Sequence, residues 1–277
     1  MYGTAASRSN RHIEHSAETR ETPVTLSGFT KIYQAPTIVR VFLRLFRTKT
    51  DRVITVKDFS LSANKGEIMV LVGENGCGKS TTMNAIAGLG GMTSGLIRVD
   101  GTGGIGLCPQ KNVLWNALTV SQHAQVFYRL KRSSKIGEKE DIDALISACD
   151  LPGKINIESR HLSGGQKCKL QLICMLTGGS RVCCVDEISG GLDPLSRRKI
   201  WEILLAERGI RTVILTTHFL DEAEYLADNM VFMHQSELRA EGSTSEFIEL
   251  RNKEMLKRLY SAVRSFSRHC YGRSICT

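Results

Sequence analysis

The stretch Gly73-Glu74-Asn75-Gly76-Cys77-Gly78-Lys79-Ser80 matches the pattern G-x-x-x-x-G-K-[S/T] of a phosphate-binding loop. Its glycines let backbone N–H groups turn inward around a phosphate, and the start of the following helix adds a partial positive charge. Lys79 can reach the β- and γ-phosphates of a nucleotide, and Ser80 can bind Mg²⁺ through its hydroxyl. We therefore expect residues 73–80, together with Thr81, to bind nucleotide phosphates.

Around this loop the chain alternates apolar strands with helix-forming segments. Strands are predicted at 24–33, 53–61, 67–72, 181–186, 211–216 and 229–234, and helices at 79–88, 120–131, 139–150, 164–177, 194–207 and 219–227. Such alternation is typical of a mainly parallel sheet covered by helices, which places the chain in the α/β class.

Composition narrows the class of protein further. The chain has 277 residues, of which 42% are hydrophobic, and no apolar run approaches the roughly 18 residues of a membrane-spanning helix. The 37 basic and 28 acidic residues give a net charge of +9, which favours phosphate ligands, nucleic acid or an anionic membrane face. Nine cysteines without C-x-x-C spacing, and no apolar signal peptide, indicate a reducing cytosolic environment rather than a zinc site or a secreted disulfide framework.

An acidic pair, Asp186-Glu187, follows the apolar run 182–185. The carboxyl end of a buried strand lies near the phosphate loop in this architecture, so Asp186 is predicted to bind Mg²⁺, directly or through water. Glu187 points in a different direction and can accept a proton from an attacking water. In isolation the pair could equally cap a helix, but beside a phosphate loop it indicates nucleotide hydrolysis.

A third motif, Leu162-Ser163-Gly164-Gly165-Gln166, precedes a basic helix. Ser163 is a good N-cap residue, and the two glycines expose backbone donors at the helix start, so the motif predicts a second anion site. One nucleotide does not need two separate phosphate cradles. We therefore expect this motif to contact the nucleotide of another copy.

The order of phosphate loop, LSGGQ, Asp186-Glu187 and a later histidine resembles the nucleotide-binding domain of ATP-binding-cassette (ABC) transporters over residues 24–250. The resemblance implies ATP and Mg²⁺ as ligands and an ATPase activity. It also implies a P-loop NTPase fold with an N-terminal antiparallel β subdomain and a helical subdomain, about 111–178, that carries LSGGQ.

The same resemblance assigns roles to further residues. Gln110 corresponds to a glutamine that touches Mg²⁺ or water, His218 to a histidine that contacts the γ-phosphate, and Tyr33 to an aromatic residue that stacks on adenine. Gly190-Gly191-Leu192-Asp193 corresponds to the D-loop, which communicates across a dimer of cassettes.

The stretches 108–115 and 216–223 are similar to the A subfamily, many of whose members move lipids. One departure is Ile188-Ser189, which stands where the family usually has Pro-Thr or Pro-Ser.

The predicted organisation is a flexible tail at 1–22, the nucleotide-binding domain at 23–250 with an insertion at 35–51, and a C-terminal helix and basic tail at 251–277.

The predicted insertion at 35–51 has a basic and an apolar face in a helical arrangement. Such a segment can lie on a membrane surface, or it can pack its apolar face on its own domain and leave the basic face in water. The basic face consists of Arg40, Arg44 and Arg47, and the apolar face of Val41, Phe42, Leu45 and Phe46.

Two functional hypotheses follow from the motifs. In the first, the chain is the ATP-hydrolysing domain of an exporter at the cytoplasmic face of a membrane, where it pairs with a second nucleotide-binding domain and with transmembrane domains absent from this chain. In the second, it is a regulatory module that binds ATP without driving transport.

DNA-repair ATPases have related motifs, but they insert a long coiled coil between the regions that correspond to Lys79 and Ser163. The sequence shows no such coiled coil between these residues, so nucleic acid is not an expected partner.

Overall fold

The computed structural model describes residues 13–16, 22–34, 52–131 and 142–250. The predicted insertion at 35–51, with its basic face of Arg40, Arg44 and Arg47, lies outside the described residues. So do the C-terminal segment 251–277 and most of the predicted tail at 1–22. None of the described helices is both long enough and apolar enough to cross a membrane.

A six-stranded sheet forms the centre of the domain. Strands β4 (Ile68–Gly73), β7 (Val182–Asp186) and β8 (Thr212–Thr217) are buried at every position. Parallel strands covered on both faces read as continuous apolar runs, which is the pattern of these segments. The strand order is β10-β9-β4-β8-β7-β6, with β9 (Asn229–His234) and β6 (Ile105–Cys108) also parallel, and β10 (Glu237–Ser243) antiparallel to β9.

A second sheet has four strands in the order β1-β5-β2-β3. Its main part is antiparallel, because β2 (Val24–Gln34) pairs in that sense with both β3 (Arg52–Ala63) and β5 (Ser94–Asp100). Strand β1 (Ile13–Ser16) pairs in parallel with β5, although it falls within the segment predicted as a flexible tail. The N-terminal antiparallel β subdomain expected from the sequence is present, and it gains this additional strand.

Helix α1 (Lys79–Ile86) lies between the two sheets and contacts strands of both. On this side of the central sheet, Met69 and Leu71 of β4 pack with residues of α1 and of the smaller sheet. On the other side, Ile68, Val70 and Val72 pack against the remaining helices. The alternation along β4 thus divides the interior into two apolar layers, as expected for successive side chains of a strand.

The remaining helices cover the second face or extend beyond it. Helices α2 (Val120–Lys131), α3 (Ile142–Ala148) and α4 (Gly164–Leu176) follow β6, with short 3₁₀ turns at Pro152–Lys154 and Ser159–His161. Helices α5 (Pro194–Ala206), α6 (Leu220–Leu226) and α7 (Thr244–Leu250) complete the fold. The expected α/β P-loop architecture, with a helical region carrying LSGGQ, is confirmed.

Close backbone packing at the end of β4 requires glycine at position 73. A Cβ there would lie 2.3 Å from the carbonyl oxygen of Met233 on β9 and 2.7 Å from Cys77 Sγ. Real Cβ atoms do not approach backbone oxygens so closely, so either strand spacing or the loop would have to shift.

We predict that Gly73→Ala lowers the free energy of unfolding by about 1–3 kcal/mol, the usual cost of overpacking a dense interior. Gly153→Ala is the matched control, because a Cβ at position 153 meets no atom within 4 Å. Urea denaturation of both variants measures the difference. Equal stabilities of the two variants would contradict the strand-packing argument.

Candidate functional site

The phosphate loop joins the end of β4 to the start of α1, as predicted. Gly76 and Gly78 both have positive φ angles, of 82° and 110°, which glycine adopts without strain. A Cβ at Gly78 would also lie 2.4 Å from the carbonyl oxygen of Thr55. Gly78 is the N-cap of α1 and offers no side-chain cap, so the first amides of the helix are available to a ligand.

Lys79 places its ammonium group inside this loop. The residue is only 4% exposed, and Nζ donates to the carbonyl oxygens of Gly73 (2.9 Å) and Glu74 (3.1 Å). Nζ also lies 3.3 Å from Oε1 of Glu187. A buried cation is stable only with such partners, and a phosphate entering the loop would compete with Glu187 for it.

Ser80 and Asp186 bring two oxygen donors together at the base of the loop. Ser80 Oγ donates to Asp186 Oδ1 at 3.1 Å, and Thr216 Oγ1 donates to the same carboxylate oxygen. Hydroxyl and carboxylate oxygens are the ligands that Mg²⁺ prefers, so this donor set fits the ion. Among the described residues no group of three His, Cys, Asp or Glu side chains could hold a metal, so waters and nucleotide oxygens would supply the remaining ligands.

Glu187, just beyond β7, lies beside groups that follow two other strands. Gln110, just beyond β6, donates its Nε2 to Oε2 at 2.9 Å, and Nδ1 of His218, just beyond β8, lies 3.5 Å from the same oxygen. Burial raises the pKa of Glu187, but the neighbouring His218 and the charge of Lys79 outweigh burial and leave that pKa below its ordinary value. The carboxylate is therefore ionised at neutral pH and able to accept a proton.

A cleft of about 340 Å³ lies at the carboxyl ends of the strands, bordered by Lys79, Gln110 and Glu187. This edge is where ligands bind in open α/β sheets. The lining residues are Thr55, Asn75, Gly76, Gly78, Lys79, Ser80, Thr81, Gln110 and Glu187.

Thr55 and Thr216 belong to this site but were not predicted from the sequence. Thr55 comes from β3 of the smaller sheet and lines the cleft, and Thr216 contacts Asp186 from β8. Thr55 belongs to no local motif, and Thr216 begins the stretch 216–223 but received no role there. Only the packing of distant segments reveals what these two residues contact. Of the predicted loop residues, Gly73 and Cys77 are enclosed by the protein, and Glu74 Oε1 lies 3.8 Å from His234 Nδ1.

Tyr33 does not line the cleft. It lies near the end of β2, half exposed, with the ammonium of Lys31 4.9 Å from its ring centroid. Its neighbour across the pair with β3 is Val53, which is exposed to a similar degree. The adenine-stacking role of Tyr33 therefore stays a prediction, for a base that extends beyond the phosphate cleft.

The LSGGQ motif lies at the start of α4, outside the cleft. Leu162 is buried, whereas Ser163 is exposed and caps the helix: its Oγ accepts from the amide of Gln166, and the Gln166 side chain accepts from the amide of Ser163. This reciprocal arrangement leaves the amides of Gly164 and Gly165 without intrahelical partners. The motif thus presents two backbone donors at the protein surface.

The predicted D-loop lies between Glu187 and α5. Gly190, Gly191 and Asp193 are exposed, and Leu192 is partly buried against the core. Asp193 is the N-cap of α5 and accepts from the Ser196 amide at 2.9 Å. Hydrogen bonds from the Ser196 side chain and then from its amide hold the pKa of the Asp193 carboxyl below its ordinary value. The segment thus connects the acidic pair directly to the start of a helix.

Comparison with known proteins identifies the class. Residues 56–190 match the model of the family described as ABC transporter. Phospholipid-transporting ATPase ABCA3 of Homo sapiens is 37% identical over 211 residues, 73% of this chain and 12% of that protein. ABC transporter A family member 2 of Dictyostelium discoideum is 36% identical over 252 residues, 87% of this chain and 15% of that protein.

Solved structures show the same fold. A structure of an ATP-binding subunit of an ABC transporter has a TM-score of 0.70 and 23% identity, and the alignment covers 88% of this chain and 100% of that one. A dimeric post-hydrolysis state of an ATP-binding cassette with ADP and Pi has a TM-score of 0.66 and 23% identity, over 80% and 98% of the two chains.

The chain thus contains an ABC transporter ATP-binding domain, and its sequence resembles the A subfamily. It spans 12–15% of the length of the two curated relatives described above.

We predict that Tyr33→Ala weakens ATP binding by about fivefold to a hundredfold, because stacking of a base on an aromatic side chain contributes about 1–3 kcal/mol. Val53→Ala removes a similarly exposed side chain directly opposite and should leave the affinity unchanged. Titration with a fluorescent ATP analogue measures both. Equal affinities of the two variants would exclude the stacking role.

Proposed function

We propose that this domain hydrolyses ATP and thereby powers an ABC transporter. The observation that carries the proposal is the convergence of Lys79, Ser80, Gln110, Asp186 and Glu187 at one cleft. A buried cation, a pair of hard oxygen donors and an ionised carboxylate are the groups that phosphoryl transfer to water requires.

In this proposal the loop amides and Lys79 bind the β- and γ-phosphates, and Lys79 exchanges its contact with Glu187 for phosphate oxygen. Glu187 accepts a proton from the water that attacks the γ-phosphorus, while the bond to the bridging oxygen breaks. Gln110 and His218 contact Glu187 and orient it. Ser80, Asp186 and Gln110 would hold Mg²⁺. When bound, this ion would neutralise part of the negative charge of the phosphates.

We predict that Lys79→Ala abolishes measurable ATP binding, because the phosphates lose the buried positive charge. Glu187→Gln should bind ATP but lower the turnover rate by about a hundredfold or more, since an amide cannot accept the proton. Equilibrium binding and steady-state phosphate release separate the two effects. Wild-type turnover in Glu187→Gln would remove Glu187 from the role of base.

The proposed functional unit contains two cassettes. Gly164 and Gly165 present donors outside the cleft of their own chain, and the solved cassette with ADP and Pi described above is dimeric. We infer that Ser163, Gly164 and Gly165 contact the nucleotide held by a partner cassette, so that each active site is shared between two chains.

We predict that the rate per chain rises with protein concentration and that Ser163→Arg abolishes hydrolysis. Mixing Ser163→Arg with Glu187→Gln should then restore about a quarter of the wild-type rate, because half of the randomly formed dimers contain one intact shared site. Ser245→Arg, at an exposed serine in α7, controls for the added charge. Mixtures that stay inactive would contradict a shared site.

Transmembrane domains are the second proposed partner, at the cytoplasmic face of a membrane. An apolar groove beside Gln110 is lined by Pro109, Val113 and Leu89, of which Leu89 and Val113 are largely exposed. The curated relatives extend far beyond the length of this chain, which supports a membrane portion as the occupant of the groove. A lipid cargo is proposed because one relative is a phospholipid-transporting ATPase.

A further inference from the structure

Glu222, in the first turn of α6, is a buried carboxylate that the proposed mechanism does not use. It is 1% exposed. Trp201 of α5 donates its Nε1 to Oε1 at 2.9 Å, and Thr217 at the end of β8 donates its hydroxyl to Oε2. Burial raises the pKa of Glu222, and these bonds offset part of that cost. Because burying an acid costs free energy, the contacts of Glu222 indicate a role beyond packing.

The Thr217 contact leads directly to His218. Successive residues of a strand face opposite sides, so Thr216 bonds to Asp186 in the nucleotide site while Thr217 bonds to Glu222 behind it. Thr217 Oγ1 also accepts from the amide of Phe219 at 3.0 Å. The Thr217 hydroxyl therefore ties the residue before His218 to the amide of the residue after it, and Glu222 accepts a hydrogen bond from that hydroxyl.

The ring of His218 is supported from the same direction. Its centroid lies 4.0 Å from that of Phe219, and the guanidinium of Arg197 lies 4.8 Å from the Phe219 centroid. Arg197 and Trp201 both belong to α5, whose N-cap is Asp193 of the D-loop. Glu222 thus joins the helix that starts at the D-loop to the strand end that carries His218.

We propose that Glu222 is a positioning residue that holds His218 against Glu187 and couples its position to the D-loop helix α5. The proposal rests on the hydrolytic function proposed above. A purely structural role for Glu222 would instead affect stability and leave His218 in place.

Glu67 is a second buried acid next to the six-stranded sheet, and its substitution is the matched control for that of Glu222. It is 6% exposed, and its carboxylate accepts from the Asn64 amide at 2.8 Å and from Asn229 Nδ2 at 2.9 Å. Glu67 precedes β4 and therefore lies at the opposite edge of the sheet from the phosphate loop. A change at Glu67 tests burial without touching His218.

The kinetic test compares Glu222→Leu, Glu222→Gln and Glu67→Gln in the full chain. We expect Glu222→Leu to lower kcat by about tenfold or more while ATP affinity changes less than about twofold, since supporting residues act on orientation. Glu222→Gln should recover much of the rate, because its amide can accept from Trp201 and donate to Thr217 Oγ1. Glu67→Gln should keep the wild-type kcat.

The same substitutions are then made in a His218→Ala background. If Glu222 acts through His218, Glu222→Leu causes no further loss of rate in this background. Glu222→Gln replaces Glu222→Leu in this comparison if the leucine variant folds poorly. The proposal would be overturned if Glu222→Leu lowered kcat by the same factor with His218 present and with His218→Ala. A wild-type kcat in Glu222→Leu would also overturn it.

A spectroscopic arm does not depend on hydrolysis. The His218 imidazole signal, assigned by its absence from His218→Ala, is followed by NMR in nucleotide-free protein. We expect it to shift in Glu222→Leu and to stay unchanged in Glu67→Gln; an unchanged signal in both would overturn the proposal. If wild-type protein binds ATP without hydrolysing it, the proposed function fails and this signal alone decides the role of Glu222.

Discussion

The buried ammonium of Lys79 is the constraint around which the rest of the site is arranged. A cation removed from water costs several kcal/mol unless anionic or carbonyl oxygens replace its hydration shell. Two loop carbonyls, from Gly73 and Glu74, and the carboxylate of Glu187 do so here. The glycines follow from the same constraint, because the loop can wrap closely around Nζ only where no Cβ meets the neighbouring strands. The loop is thus preorganised for an anion.

Strand order explains how a carboxylate from residue 187 reaches a lysine at residue 79. Strand β8 lies between β4 and β7, so the end of β8 separates the phosphate loop from the acidic pair. Thr216 fills this position and bonds to Asp186, while the amide of Glu187 donates to Thr216. Glu187 has a positive φ of 44°, and its carboxylate lies 3.3 Å from Lys79 Nζ. Thr216 therefore fills the gap in the sheet between the phosphate loop and the acidic pair Asp186-Glu187.

Local patterns allowed much of this arrangement to be predicted, and long-range packing accounts for the remainder. The buried strands β4, β7 and β8 and the phosphate loop are contiguous in sequence, so composition and spacing identify them. Strands β5, β6 and β10 were not predicted, because β6 has four residues, β10 is polar, and β5 is defined by its partners. Thr55 contributes to the cleft only because β3 packs on the loop.

The capping geometry of α4 bears on the proposal that a second chain completes the nucleotide site. In the isolated chain Ser163 and Gln166 satisfy each other, so the helix start needs no ligand for its stability. The amides of Gly164 and Gly165 remain, and two donors without a charged side chain bind a free phosphate weakly. An anion already held by Lys79 and the loop of another chain avoids that weakness, because the second contact then forms at high effective concentration. An exposed, neutral and preformed motif is therefore suited to recognising a nucleotide that a partner already presents.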